Sequence, residues 1–141
     1  MSPDRFRDWI FERLMWVLIN GEWVVKIKDF KNSKNKKERS IFGLVDQHED
    51  KEGGIIYLDK TRGTPKILVH ELGHVLFGDI LDREAIDKNK TAGQIDKWTE
   101  NEVLIFERVF YGSLSKEQIS ALKVFITKAR IEFKRNLEKN G

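Results

Sequence analysis

The chain contains no cysteine, which excludes disulfide staples, thiolate metal sites and cysteine nucleophiles together. It has only three histidines, His48, His70 and His74, so any metal centre must be assembled from these and from Asp or Glu. No run approaches the roughly 18 apolar residues that a helix needs to cross a bilayer. The opening Met1-Ser2-Pro3-Asp4-Arg5 leads into a charged amphipathic stretch rather than a secretory signal. These absences give the expectation of a cytoplasmic protein without a membrane partner, and the lack of cysteine permits that compartment. Charge of either sign is nearly balanced, with 26 Lys and Arg against 23 Asp and Glu and a net charge of +3. That surplus alone makes no case for nucleic acid. At 141 residues, 40% hydrophobic and 35% charged, the chain is expected to form one domain over 1–141 with a core of its own.

Periodicity organises what is present. Residues 5–19 read as a helix, with Phe6, Ile10, Leu14, Val17 and Leu18 at helical spacing and Trp9 and Trp16 broadening the apolar face. Asn20-Gly21 stops it. Glu22 to Phe30 alternates as a strand, with Trp23, Val25 and Ile27 on one side. Residues 31–40 form a polar connection, Ile41–Val45 a second strand and Ile55–Leu58 a third, after the Gly53-Gly54 turn. Thr64-Pro65 opens a helix that should run to about Phe77, with Gly78 as its stop. A short helix near 82–88, a longer one from Thr99 to Tyr111 and a last one opened by the Ser115–Gln118 capping box complete the pattern. Strands come together and helices follow, so the expected class is α+β: a three-stranded sheet, with room for a fourth strand, packed on a motif helix and further C-terminal helices.

His70-Glu71-Leu72-Gly73-His74 reads H-E-x-x-H on the predicted 65–77 helix. Four residues is about one turn, so both imidazoles project from one face and can grip one zinc ion. Glu71 follows the first ligand directly and is placed to take a proton from water at the metal. Gly73 costs a helix about 1 kcal/mol relative to Ala and removes a side chain beside the site. Close helix packing explains it equally well.

A catalytic zinc needs a third protein ligand. Glu102 is the first choice, because Ile105, Phe106 and Val109 lie three, four and seven residues on and carry it along an apolar face. Glu107 and Glu100 are the alternatives. Thr99 to Glu102 is also a capping box, which would occupy Glu102 with a backbone N–H instead.

Val69 to Leu76, built on H-E-L-G-H, resembles the motif helix of gluzincin-type zinc metallopeptidases. It is most similar to the small bacterial and phage peptidases of the ImmA/IrrE-like family. That family follows its motif with a helix beginning E-x-E-A-N-x-F-A, and Glu100 to Glu107 falls in register with it. The second Glu and the Phe match, whereas the Ala-Asn pair does not. The resemblance spans residues 55–110. It implies a zincin-like fold, a zinc cofactor, a protein or peptide substrate and a third ligand at Glu102.

The expected mechanism is hydrolysis of a peptide bond with His70, His74 and Glu102 holding Zn2+ and Glu71 as base. A further donor must face the oxyanion. Tyr111, on the Glu102 helix, is the candidate, with Tyr57 and His48 as alternatives. Asp79 or Asp82 could orient a ligand imidazole. Lys31, Lys34, Lys36, Lys37 and Arg39 form a basic run. A solvated loop is its stronger reading and a phosphate contact the weaker. The competing function is a zincin-fold binding or regulatory protein with little turnover, of the kind mobile elements carry. Neither the oligomeric state nor the substrate's sequence is legible.

Overall fold

A computed structural model describes residues 2–140. Its elements, in order, are α1 (Pro3–Ile19), β1 (Trp23–Lys28), a short 3-10 turn at Lys36–Ser40, β2 (Gly43–Gln47), β3 (Gly54–Asp59), α2 (Pro65–Asp87), α3 (Ala92–Ser113) and α4 (Lys116–Asn140). The architecture is α+β. The sheet has the order β1-β3-β2, with β1 parallel and β2 antiparallel to the central strand. No fourth strand is found among the described residues.

Strand alternation decides which sheet face is covered. Trp23, Val25 and Ile27 of β1 and Ile56 and Leu58 of β3 are buried, and they share the core with Leu14, Leu68, Leu72, Leu122 and Ile126 from the helices. Lys26 and Lys28 point to the other, wetter face. Ser115 and Gln118 cap α4 reciprocally, at 3.0 and 3.1 Å. The α4 stripe buries Leu122, Ile126 and Ala129, while Leu137 near its end is exposed.

Two helix boundaries differ from the sequence expectation. α2 does not stop at Gly78 but continues to Asp87, absorbing the short helix expected near 82–88. Its second half packs on α3: Ala85 is buried, and the Thr99 hydroxyl donates to Asp82. Such tertiary contacts outweigh the roughly 1 kcal/mol that one glycine costs a helix. α3 begins at Ala92 rather than Thr99. Thr91 and Gln94 form its capping box, and Thr99 lies about two turns inside the helix, buried.

Asp59, at the end of β3, ties the loops beside the cleft together. Its buried carboxylate accepts from the backbone N–H groups of Phe30, Lys31, Thr61 and Arg62 and from the Arg62 guanidinium. Arg62 also donates to the Ile41 carbonyl at 3.2 Å, just ahead of β2. Burial opposes the charge on Asp59. The Arg62 bond and the backbone donors outweigh it and hold the carboxyl well below the usual carboxylate range. A depressed folded-state pKa stabilises the fold fully above the unfolded value of about 4 and loses that stabilisation as pH falls below it. Asp59→Asn should therefore cost about 3 kcal/mol at neutral pH. Urea titrations at a series of pH values should show the gap between wild type and variant closing on acidification. A constant gap would show that the charge is not what Asp59 contributes.

Candidate metal centre and cleft

α2 carries His70 and Glu71 into the interior and leaves His74 half-buried at the cleft edge. The two imidazoles stand edge-to-face with centroids 5.0 Å apart. A nitrogen of each and a carboxylate oxygen of Glu71 lie within 4.8 Å of one another, a grouping able to hold a metal ion. α3 crosses directly over this turn because residue 73 is glycine. A Cβ there would come within 3.0 Å of Phe106 and 3.1 Å of Val103.

The carboxylate that α3 delivers is Glu100. Its two oxygens accept from His70 Nε2 and His74 Nε2, each at 2.9 Å, which sets a carboxylate of α3 against both imidazoles. Those two bonds, His70 first, hold Glu100 well below the usual carboxylate range. Glu102 lies two residues on, about 200° around the helix. It is half-buried and makes no ion pair or side-chain hydrogen bond among the described residues. Of the apolar positions used to orient it, Ile105 and Val109 are 54% and 68% exposed, and only Phe106 packs against the core. Two of the three therefore lie on α3's outer face. The inner face runs Thr99, Val103, Glu107 and Phe110, and Glu100 borders it.

Glu107, two turns after Glu100, is buried and lies 3.7 Å from His70 Nδ1. That nitrogen is buried without a hydrogen-bond partner. Burial works against a second proton on His70. The Glu100 bond and the charges of Glu100, Glu71 and Glu107 outweigh it, so the pKa is raised. When Nε2 gives its lone pair to a cation, the ring proton belongs on Nδ1, facing Glu107. This is the carboxylate–histidine arrangement that fixes a ligand tautomer. Two imidazoles with carboxylates beside them are a donor set able to hold a metal ion, with a waiting partner for His70.

Glu71 is buried beside both imidazoles. Burial raises its pKa, and the neighbouring His74 and His70 pull it down without cancelling the rise. Its space is made by Gly43 of β2, where a Cβ would come within 2.9 Å of both Glu71 Cγ and Ile67 Cγ2.

The cleft extends along β2 on both sides of Glu71. One half is lined by Ile41, Phe42, Ile67, Leu104 and Glu107, the other by Leu44, Val45, His74, Asp79 and Asp82. Asp79 and Asp82 line the cleft without bonding an imidazole, and Asp82 accepts from Thr99 instead. The proposed oxyanion donor Tyr111 is not brought to the site. It lies 11 residues beyond Glu100, about 16 Å along α3, and packs against the core cluster. Tyr57 is on β3 with Lys28 above its ring, and His48 follows β2 in the hairpin turn. Neither lines the cleft.

The edge of β2 that borders the cleft is unpaired. The Phe42 carbonyl accepts from Asp59 N–H at 2.8 Å, and His48 N–H donates to the Gly53 carbonyl at 2.9 Å. Hydrogen-bonded pairs alternate along an antiparallel ladder. Residues 42, 44, 46 and 48 therefore bond inward to β3, while Gly43, Val45 and Gln47 direct N–H and C=O away from it.

No protein-family model matches this chain, and no curated protein or solved structure matches it either.

Proposed function

We propose that the protein is a zinc-dependent peptidase of gluzincin-like chemistry, with a protein or peptide as substrate. The observation that carries this reading is the grouping of buried Glu71 with both motif imidazoles, with Glu100 bonded to each imidazole, alongside an unpaired strand edge. His70, His74 and Glu100 would hold the ion, and Glu107 would hold the proton on His70 Nδ1. What a divalent ion supplies when bound there is Lewis acidity toward water and carbonyl oxygen.

The remaining chemistry belongs to the chain's own groups. An extended peptide adds to the free edge of β2 through Gly43, Val45 and Gln47, as strands add to open sheet edges. The cleft's two halves then receive side chains on either side of the bond to be cut. Glu71 takes the proton of the attacking water and passes it to the leaving nitrogen. Its burial keeps bulk water from doing the same. Backbone donors serve recognition in this arrangement, and Tyr111 has no part in it.

The test is digestion of an unfolded protein by the full chain loaded with zinc, with products read by mass spectrometry. Cleavage should vanish with chelator and return with added zinc. A fully loaded protein that cuts nothing would leave a metal-holding fold without this activity. Gly43→Ala should keep its metal but lose about tenfold or more in cleavage rate, because small displacements of a reacting group are costly. Unchanged cleavage in that variant would show that Glu71 tolerates the crowding.

A further inference from the structure

The outward side of α1 is apolar where a surface helix is ordinarily polar. Phe6, Trp9, Trp16 and Ile19 are 53%, 51%, 60% and 67% exposed, and between them lie Glu12 and Arg13, both exposed. The six positions are 6, 9, 12, 13, 16 and 19. Read from either end, the stripe runs apolar, apolar, charged, charged, apolar, apolar, and the two central charges are of opposite sign. An antiparallel copy of the same helix, centred between residues 12 and 13, therefore meets it in register. Phe6 faces Ile19, Trp9 faces Trp16, and Glu12 faces Arg13, each twice.

We propose that the occupant of this face is a second copy of the chain, packed about a two-fold axis through the middle of α1. Such an interface is isologous, and self-complementarity is what it requires. Steps of three residues drift about 60° around a helix, so the two α1 helices cross at an angle rather than run straight alongside each other.

The apolar area is of the right size. Ile80 of α2 borders α1 through one groove, and Ile105 and Val109 of α3 border it through another. All three are more than half exposed. Three aromatic side chains, which bury about 150–250 Å² each when covered, and four smaller aliphatic ones, all more than half exposed, leave roughly 700 Å² in water. That exceeds the largest apolar patch of most monomers and approaches the roughly 800 Å² per partner of a standard interface. Two of the aromatic side chains, Phe6 and Trp9, also pack on each other in the single chain. Trp9 stacks on Phe6 at 6.2 Å between centroids and carries the Arg13 guanidinium at 5.8 Å. The pairing makes no use of His70, His74 or Glu71, so it stands or falls separately from the peptidase reading.

Sedimentation equilibrium of the full chain over a concentration series tests the assignment. The wild type should form a dimer. Trp16→Glu should weaken it by about tenfold or more, since central aromatic residues dominate such interfaces. Glu12→Arg alone and Arg13→Glu alone should each weaken it by setting like charges opposite each other. The double variant Glu12→Arg with Arg13→Glu should restore it. If Trp16→Glu fails to fold, the charge exchange at the exposed positions still decides. A monomer at every concentration overturns the proposal, and co-sedimentation of that monomer with phosphatidylserine-containing vesicles would assign the face to lipid instead. A dimer indifferent to all of these variants places the contact elsewhere and overturns it equally.

Discussion

Glu71→Gln should leave the metal content of the protein unchanged and lower peptide cleavage by about 10²- to 10⁴-fold, the range that a positioned general base contributes. Gln preserves the size and the hydrogen-bonding reach of the side chain but cannot take a proton. The expectation rests on where the carboxylate lies. It is buried beside the two motif imidazoles, in space left by Gly43, and burial raises its pKa. Metal analysis and cleavage rates on the same preparations separate its two possible roles. Loss of metal together with activity would make Glu71 a ligand rather than a base. Undiminished cleavage would remove it from the reaction altogether.

Glu100→Ala and His74→Ala should each lose most of the bound zinc, whereas Glu102→Ala should retain about one ion per chain, as expected of a three-ligand site. The two glutamates differ by only two residues, but α3 turns them to different sides. Glu100 reaches both imidazoles at 2.9 Å, and Glu102 reaches neither. Removing one of three ligands costs a site far more than removing a carboxylate nearby, so the contrast should be plain in metal analysis after dialysis. Retention of zinc by Glu100→Ala with loss from Glu102→Ala would reverse the assignment. Glu107→Gln is the intermediate case. It should weaken zinc binding by about 10- to 100-fold, as expected for a partner of a ligand histidine.

Spacing alone puts Glu102 in line with Ile105, Phe106 and Val109 wherever the helix starts, while Thr99 to Glu102 also has the composition of a capping box. The helix in fact starts at Ala92, capped by Thr91 and Gln94, and Ile105 and Val109 face water. The buried positions Thr99, Val103, Glu107 and Phe110 define the other stripe. The same difficulty misplaced Trp9 and Trp16. Helical spacing shows which residues share a face of α1, but both of its sides carry apolar groups. Leu14 and Leu18 turn inward, and the tryptophans are left outside.

The residues themselves determined the local features: H-E-x-x-H on a helix after a strand, the alternating β1, the caps at Thr64 and Ser115 and the absence of thiolate ligands. Each depends on neighbours within a few positions, where side-chain direction follows from one period. Tertiary structure alone decided which carboxylate meets the imidazoles, that α2 continues through Gly78, and that the free edge of β2 runs beside Glu71. These depend on the rotation of one helix against another and on which strand lies outermost. Contacts between segments far apart in the chain set both, and no short-range pattern encodes them.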